Sequence, residues 1–266
     1  MEIIKTIAAN SPQIIYELPL NDSIRIALRL ENLFQQFDKT FSATTPLLTR
    51  NAMNAVLRIL DVTDRPDIKS KLSQTLTQYT NTCSQLIHSP QIDVKRLQTT
   101  LQKLENLNQY LHTHHTRIGE NLRQNDFLYQ IRSNLVNPGG VCDYRLPAYM
   151  LWQNKSPTEK SKDLMEWMKT FQPLRDIIET ILTLTRDSTP MQTVTTENGF
   201  HLQALNPSAP CHLVRVALPT TLNLFPEFGA GKHRLTIRFL EPNYFGDGKS
   251  AATQTAITFQ LACCKI

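Results

Sequence analysis

RIGENLRQNDFLYQIRSNLVNPGGVCDYRLPAYMLW, residues 117–152, separates two regions of different periodicity. Ahead of it apolar residues recur at helical spacing, whereas from Met191 onward they alternate. Within the stretch, Leu122, Leu128, Ile131 and Leu135 share the apolar side of an amphipathic segment. That segment must stop at Asn137-Pro138-Gly139-Gly140, because proline cannot continue a helix and paired glycines free the backbone. A short strand is expected at once, at 141–144. The stretch is therefore a joint between a helical part and a stranded part.

Toward the N-terminus, Ile68, Leu72, Leu76, Tyr79, Cys83 and Leu86 are spaced by three and four, the clearest helical stripe in the chain. Asp93 suits the N-cap of the next helix, which carries Leu97, Leu101, Leu104, Leu107 and Leu111. An earlier helix over about 49–62 must end before Arg65-Pro66, since the residue preceding proline disfavours the helical region. Long Gln- and Thr-rich faces opposite these stripes predict a solvent-exposed helical bundle. Further back, Asn21 or Asp22 caps a helix with Ile24, Ala27, Leu28, Phe34 and Phe37 on one face and Arg25, Arg29, Asn32 and Gln36 on another. The run 14–18, IIYEL, closed by Pro19, fits a strand that returns to pair with the distant C-terminal sheet.

Toward the C-terminus, Ser156-Pro157-Thr158-Glu159 combines a capping box with proline at the first helical position. A second helix begins near Pro173. Strands follow at 191–195 and 199–205, joined at Asn198-Gly199 as a tight hairpin, because a type I′ turn needs positive φ at both central positions. Others are expected at 211–218, at 233–239 with Arg234 and Arg238 opposite Leu235, Ile237 and Phe239, and around Ile257, Phe259, Leu261 and Cys263. The fold class is α+β. A mainly helical domain at 20–187, holding the short strand near 141–144, packs against a mainly antiparallel β-strand domain formed by 1–19 and 188–266.

The chain has 266 residues, 41% hydrophobic and 19% charged, with a net charge of +5. Sixteen of the 28 Lys and Arg and 13 of the 23 Asp and Glu fall in 1–152, so the basic excess is spread over both halves. That is too weak for a protein that coats DNA, yet it permits a local basic cleft for an acidic partner. The N-terminus lacks the basic region and apolar core of a signal peptide, and no window approaches the roughly 18 apolar residues of a membrane span. A soluble, intracellular protein is expected. Five cysteines, an odd count without metal-ligand spacing, read as reduced thiols.

Motifs for catalysis fail on inspection. Gly229-Ala230-Gly231-Lys232 resembles the end of a phosphate loop, but Pro226 stands where glycine is needed and His233 where Ser or Thr must hold magnesium. His112, His114 and His115 lack a cysteine or carboxylate at ligand spacing, which makes them a polar helix end. No metal, cofactor or catalytic residue is assigned. The remaining signal is a set of cations: Arg25, Arg29, Arg123, Arg132, Arg215, Lys232, Arg234 and Arg238. Guanidinium forks pair bidentately with carboxylates and phosphates, so an acidic peptide and a nucleic acid are both readable partners. Few aromatics lie among these cations, which disfavours base stacking.

Six segments carry a resemblance to a known family. They are E-x-P-L-N-x-x-x-R-x-x-L-R-x-E at 17–31, R-I-G-x-x-L-R at 117–123, N-P-G-G-x-C followed by L-P-x-x-x-x-W ending at Trp152, N-G-F at 198–200, the basic run at 232–239, and F-x-L-A-C-C at 259–264. Together, in this order, they resemble the bacterial ZapD family of cell division proteins. The resemblance implies a cytoplasmic, non-enzymatic homodimer that works at the mid-cell septum. It would bind the acidic C-terminal tail of FtsZ in a basic cleft near the domain junction, and bundle FtsZ filaments to stabilise the Z-ring. Carried over by motif, the cleft residues are Arg25 and Arg29, Arg123 and Arg132, and Arg234 and Arg238. The chain departs from the pattern at Asp126 and Met150, where some members carry a basic residue.

Overall fold

The computed structural model describes residues 12–41, 45–88, 93–114, 116–135 and 145–265. The Asn137-Gly140 turn and the strand expected at 141–144 lie outside these residues. The class is α+β, with helices and antiparallel sheets. The chain divides into two compact units, one running to Arg25 and resuming at Leu182, the other Ile26–Ile181.

The first unit holds the strands β1 (Gln13–Pro19), β2 (Gln192–Thr196), β3 (Phe200–Ala204), β4 (Leu213–Pro219), β5 (Phe225–Ala230), β6 (Arg234–Glu241), β7 (Ala251–Ala252) and β8 (Ile257–Cys264). One sheet has the order β1-β4-β8-β2; the other has β3-β6-β5, with β7 continuing alongside β6. The N-terminal run pairs antiparallel with β4, Ile14 opposite Leu218 and Leu18 opposite Val214, as its sequence predicts. Both sheets alternate. Val214, Val216 and Leu218 of β4, Leu235, Ile237 and Phe239 of β6, and Ile257, Phe259 and Leu261 of β8 form one buried core. Phe239 and Phe259 meet edge to face at its centre, with centroids 4.8 Å apart.

Asn198-Gly199 does not make the expected hairpin. β2 pairs with β8 and β3 with β6, so the turn carries the chain from one sheet to the other. Gly199 has φ +61°, and a Cβ there would lie 2.4 Å from the Thr253 carbonyl oxygen. The glycine is needed for this close packing as well as for its φ. A positive-φ dipeptide fixes a reversal, but which strand pairs with which is decided by burial of the alternating faces. Two strands, β5 and β7, were not anticipated. β5 hides because Pro226 and Gly229 break its alternation, although it pairs with β6 throughout. The glycine run at 229–231 therefore ends one strand and turns into the next, Gly231 N–H donating to Arg234 C=O at 2.9 Å, with no helix behind it to cradle a phosphate.

Nine helices lie among the described residues: α1 (Asp22–Thr40), α2 (Pro46–Thr63), α3 (Ile68–Gln85), α4 (Val94–Thr113), α5 (Glu120–Arg123), α6 (Asp126–Leu135), α7 (Pro147–Gln153), α8 (Pro157–Lys169) and α9 (Gln172–Asp187). Their ends follow side-chain chemistry. Asn21 accepts from Ile24 N–H at 2.8 Å, Asp93 accepts from Lys95 and Arg96 N–H, and Ser156 and Glu159 form the reciprocal capping box. Helices α3 and α4 run antiparallel, since Lys69 bonds to the His114 carbonyl, Ser73 to Asn108 and His112, and Thr77 to Asn108. The Ser, Thr and Asn of their facing sides are thus partly spent on each other.

The amphipathic segment of the joint is two helices. It breaks between α5 and α6, where Asn125 turns its side chain to cap α6 through Leu128 N–H at 3.1 Å. Leu122, Leu128 and Ile131 still face inward. Before α5, Gly119 adopts φ +79°, and a Cβ there would meet Leu60 at 2.8 Å and Phe171 at 2.9 Å.

Candidate functional site

The eight cations singled out from sequence fall into three settings. In the helical unit, Arg123 and Arg132 are committed to Asp61 and Asp64, in the last turn and at the C-cap of α2. Arg123 Nε donates to Asp64 Oδ1 at 2.6 Å, and its terminal nitrogens reach Thr63 Oγ1 at 2.9 Å and the carbonyls of Leu60 and Ile118. Arg132 Nε donates to Asp61 at 2.6 Å and its fork closes on Asp64. Arg123 is 12% exposed and Arg132 27%. Partial burial works to raise the Asp64 carboxyl, and the Arg132 and Arg123 guanidiniums outweigh it, holding Asp64 below the ordinary carboxylate range. Burial likewise opposes the charge on Arg132, and its bonds to Asp64 and Asp61 hold the pKa above the usual value. This constellation closes the turn Gly119 begins against the C-terminal end of α2.

In the strand unit, Arg215 of β4 is committed in the same way. Its Nε donates to Glu17 of β1 at 3.0 Å, and Glu17 also accepts both ends of the Arg186 fork, at 2.9 and 2.7 Å. Glu17 is opposite Arg215 in the strand register, so this pair is a cross-strand contact fixed by the sheet. The leading glutamate of the first quoted motif thereby holds β1, β4 and the end of α9 together.

The other five cations are exposed. Arg25 and Arg29 lie four apart along α1; Arg25 touches Asp22 at 3.5 Å, a surface pair worth roughly 0–1 kcal/mol. Arg234 and Arg238 project from the outer face of β6, with Lys232 in the turn before it. Arg238 has only Glu227 at 3.9 Å, and Arg29, Lys232 and Arg234 form no ion pair among the described residues. Around these arginines the register sets Phe200 opposite Arg238, Leu202 opposite Thr236 and Ala204 opposite Arg234. Phe200 is 45% and Leu202 58% exposed. The outer face of the smaller sheet thus offers two guanidiniums beside two uncovered apolar side chains, a combination able to hold an acidic segment that also carries apolar residues.

Phe200 and Leu202 had no signal as site residues in the sequence, because exposure on a β3 face is visible only once β3 is paired with β6. Asp61 and Asp64 were equally hidden. Asp126 accepts from Gln130 at 2.7 Å on the surface of α6, and Met150 is half exposed. Of the histidines, His112 bonds to Ser73 and His114 stacks on Tyr110 with centroids 4.0 Å apart, while His115 lies outside the described residues. Among the described residues no cluster of three or more His, Cys, Asp or Glu could hold a metal ion, and no helix is long and apolar enough to cross a membrane. Cys263 faces the sandwich core beside Cys211, and Cys264 faces the opposite side. The hydrogen bond between Cys211 and Cys263 pushes the former thiol up and the latter down.

A family model described as the cell division protein ZapD matches residues 28–238. The chain is 45% identical over 253 residues to the cell division protein ZapD of Coxiella burnetii strain RSA 331, covering 95% of this chain and 98% of that protein. It is 34% identical over 252 residues to the ZapD of Ralstonia nicotianae, covering 94% and 99%. With the ZapD of Nitrosomonas europaea the figures are 33% over 253 residues, covering 95% of each.

Proposed function

This chain belongs to the ZapD family of cell division proteins, and from that membership we propose that it is a non-enzymatic adaptor for the division filament. It binds the acidic C-terminal tail of FtsZ through exposed cations and, as a cytoplasmic homodimer at the mid-cell septum, crosslinks or bundles FtsZ filaments to stabilise the Z-ring. No cofactor takes part. The observation that carries the reading is the outer face of β6, where Arg234 and Arg238, with Lys232 beside them, stand almost free of acids while Arg123, Arg132 and Arg215 are neutralised within the fold. Free cations keep their charge for a partner. Arg25 and Arg29 on α1 add to the same class of exposed groups.

Crosslinking follows from symmetry. A dimer presents two equal tail sites, and tails arrayed along a polymer raise avidity by roughly 10² to 10⁴ without any new contact. Because exposed charges lead the association, binding weakens with salt as the Debye length falls from about 10 Å at 0.1 M to about 3 Å at 1 M.

The test is fluorescence anisotropy of a labelled FtsZ tail peptide, titrated with the full chain beside a scrambled peptide of equal charge. Selective, saturable binding supports the adaptor. Equal binding to both peptides sinks it and leaves a generic basic surface, for which a nucleic-acid titration is the next step.

A further inference from the structure

Among the described residues, the smaller sheet ends on β3, an edge that no further strand covers. In an antiparallel pair, residues that exchange backbone bonds alternate with residues whose N–H and C=O point away. Phe239 N–H donates to Gly199 C=O and Leu205 N–H to His233 C=O, both at 2.8 to 2.9 Å. The register therefore gives the bonds to β6 to Gly199, His201, Gln203 and Leu205. The backbones of Phe200, Leu202 and Ala204 face outward from β6, where the Phe200 carbonyl already accepts from Thr196 Oγ1 and no strand pairs with this side among the described residues.

Proteins shield such edges with proline, charge or bulges. The opposite edge of this sheet, β5, carries Pro226 and Glu227, and β1 carries Glu17 and Pro19. β3 reads FHLQA and carries none of these. β2, the edge of the other sheet, is equally plain, but its side chains include no large exposed apolar group. β3 has two.

Behind β3 the two sheets leave a cavity of about 360 Å³, lined among others by Gln192, Val194, His201, Gln203 and Cys263. His201 Nε2 is buried and has no hydrogen-bond partner among the described residues. The edge thus has three neighbours of different chemistry. Outward backbone groups run along it, Phe200 and Leu202 with Arg234 and Arg238 lie on its solvent face, and a polar-lined cavity opens on its inner face.

We propose that β3 receives an acidic, partly apolar peptide as an added antiparallel or parallel strand. The peptide backbone bonds to Leu202 and Ala204 and to the N–H of Phe200, whose carbonyl Thr196 already occupies. Side chains of one parity lie over Phe200 and Leu202 and reach Arg234 and Arg238 one strand further in, at about 5 Å per strand, within the span of two long side chains. Side chains of the other parity enter the cavity toward His201 and Gln203. Acidic charge in the occupant is set by the two guanidiniums, which among the described residues nothing neutralises beyond the 3.9 Å contact of Arg238 with Glu227. This inference rests on the proposed tail-binding function and specifies its geometry.

The experiment uses the full chain and three versions of the labelled tail peptide: unmodified, and N-methylated at alternate residues in each of the two registers. A strand bonded along one side loses affinity when the amides on that side are methylated. One register is expected to bind at least tenfold more weakly than the other. Leu202→Pro removes an outward N–H without touching the bonds to β6, and is expected to cost at least tenfold with an unchanged melting temperature. If the unmodified peptide binds, both methylated registers bind alike and Leu202→Pro has no effect, the tail reading survives and the edge is overturned. If the unmodified peptide does not bind, both readings fall. If Leu202→Pro dissolves a concentration-dependent dimer while leaving peptide affinity intact, the edge seats a second copy and the proposal is overturned. Should Leu202→Pro fail to fold, the methylated pair still decides.

Discussion

Two groups of arginines look alike in the sequence and behave differently in the fold. Arg123 and Arg132 sit in a helical joint; Arg234 and Arg238 sit on a strand. The first pair meets Asp64 and Asp61, which are 59 and 71 residues away in sequence, at 2.6 Å. The second pair meets almost nothing. A guanidinium that has spent its donors on the fold contributes geometry, while one that keeps them stays available to a partner. Under the proposed function, the difference also sets which substitutions should unfold the protein and which should leave it folded but unable to bind.

The largest effect is expected at Arg123. Its removal leaves Asp64 short of a partner and takes the donor from Thr63 Oγ1 and from the Leu60 and Ile118 carbonyls. Breaking a pair of this depth costs about 3 kcal/mol, read by urea unfolding of Arg123→Ala. Arg238→Ala, measured in parallel, stays within about 0.5 kcal/mol of the parent. Equal losses for the two would erase the distinction between the groups.

Gly119→Ala is expected to follow, at about 2 kcal/mol. The residue has positive φ, and the new methyl group would press on Leu60 and Phe171 at under 3 Å. This glycine delivers Arg123 to α2, so Gly119→Ala and Arg123→Ala should be less than additive in a double mutant. Strict additivity would show that the turn and the ion pair are independent.

Charge reversal on the strand works through binding. Arg234→Glu and Arg238→Glu are each expected to weaken the tail peptide at least tenfold, about 1.4 kcal/mol, with melting temperatures unchanged. Unchanged affinity in a folded double variant would remove β6 from the site.

Much of this was readable in advance, and the reasons are local. Helix starts were legible because Asn21, Asp93 and Ser156 satisfy N–H groups two or three residues on. Strand β6 was legible because burial on one face imposes a period of two. The N-terminal strand was legible from an apolar run ending in proline. What could not be read depends on pairing across distance. Asn198-Gly199 signals a reversal but not that β2 and β3 part to different sheets. Arginine spacing shows which residues share a face, but the acids that neutralise Arg123, Arg132 and Arg215 come from the C-terminal end and cap of α2 and from β1. Site residues were therefore chosen by type, and only the fold sorts the committed from the free.

The smallest effect expected is acid sensitivity, and it bears on the committed group alone. Asp64 is held below the ordinary carboxylate range because Arg132 and Arg123 outweigh the opposing burial. A carboxyl with a depressed folded pKa binds fewer protons in the native state than in the unfolded chain. Its contribution is thus complete above the unfolded value of about 3.9 and is lost as pH falls through the lower folded value. The parent should lose melting temperature below about pH 4 through this group, in addition to what exposed Asp67, lowered to about 2 by Lys71 and Arg65, contributes with the same sign. Asp64→Asn should melt lower at pH 7 and change less on acidification, while Asp67→Asn retains most of the slope because its pairs are solvated. Arg234→Ala and Arg238→Ala should leave the slope untouched. Parallel curves for the parent and Asp64→Asn would mean that the aspartate carries no linkage, and the contrast between committed and free arginines would then rest on geometry alone.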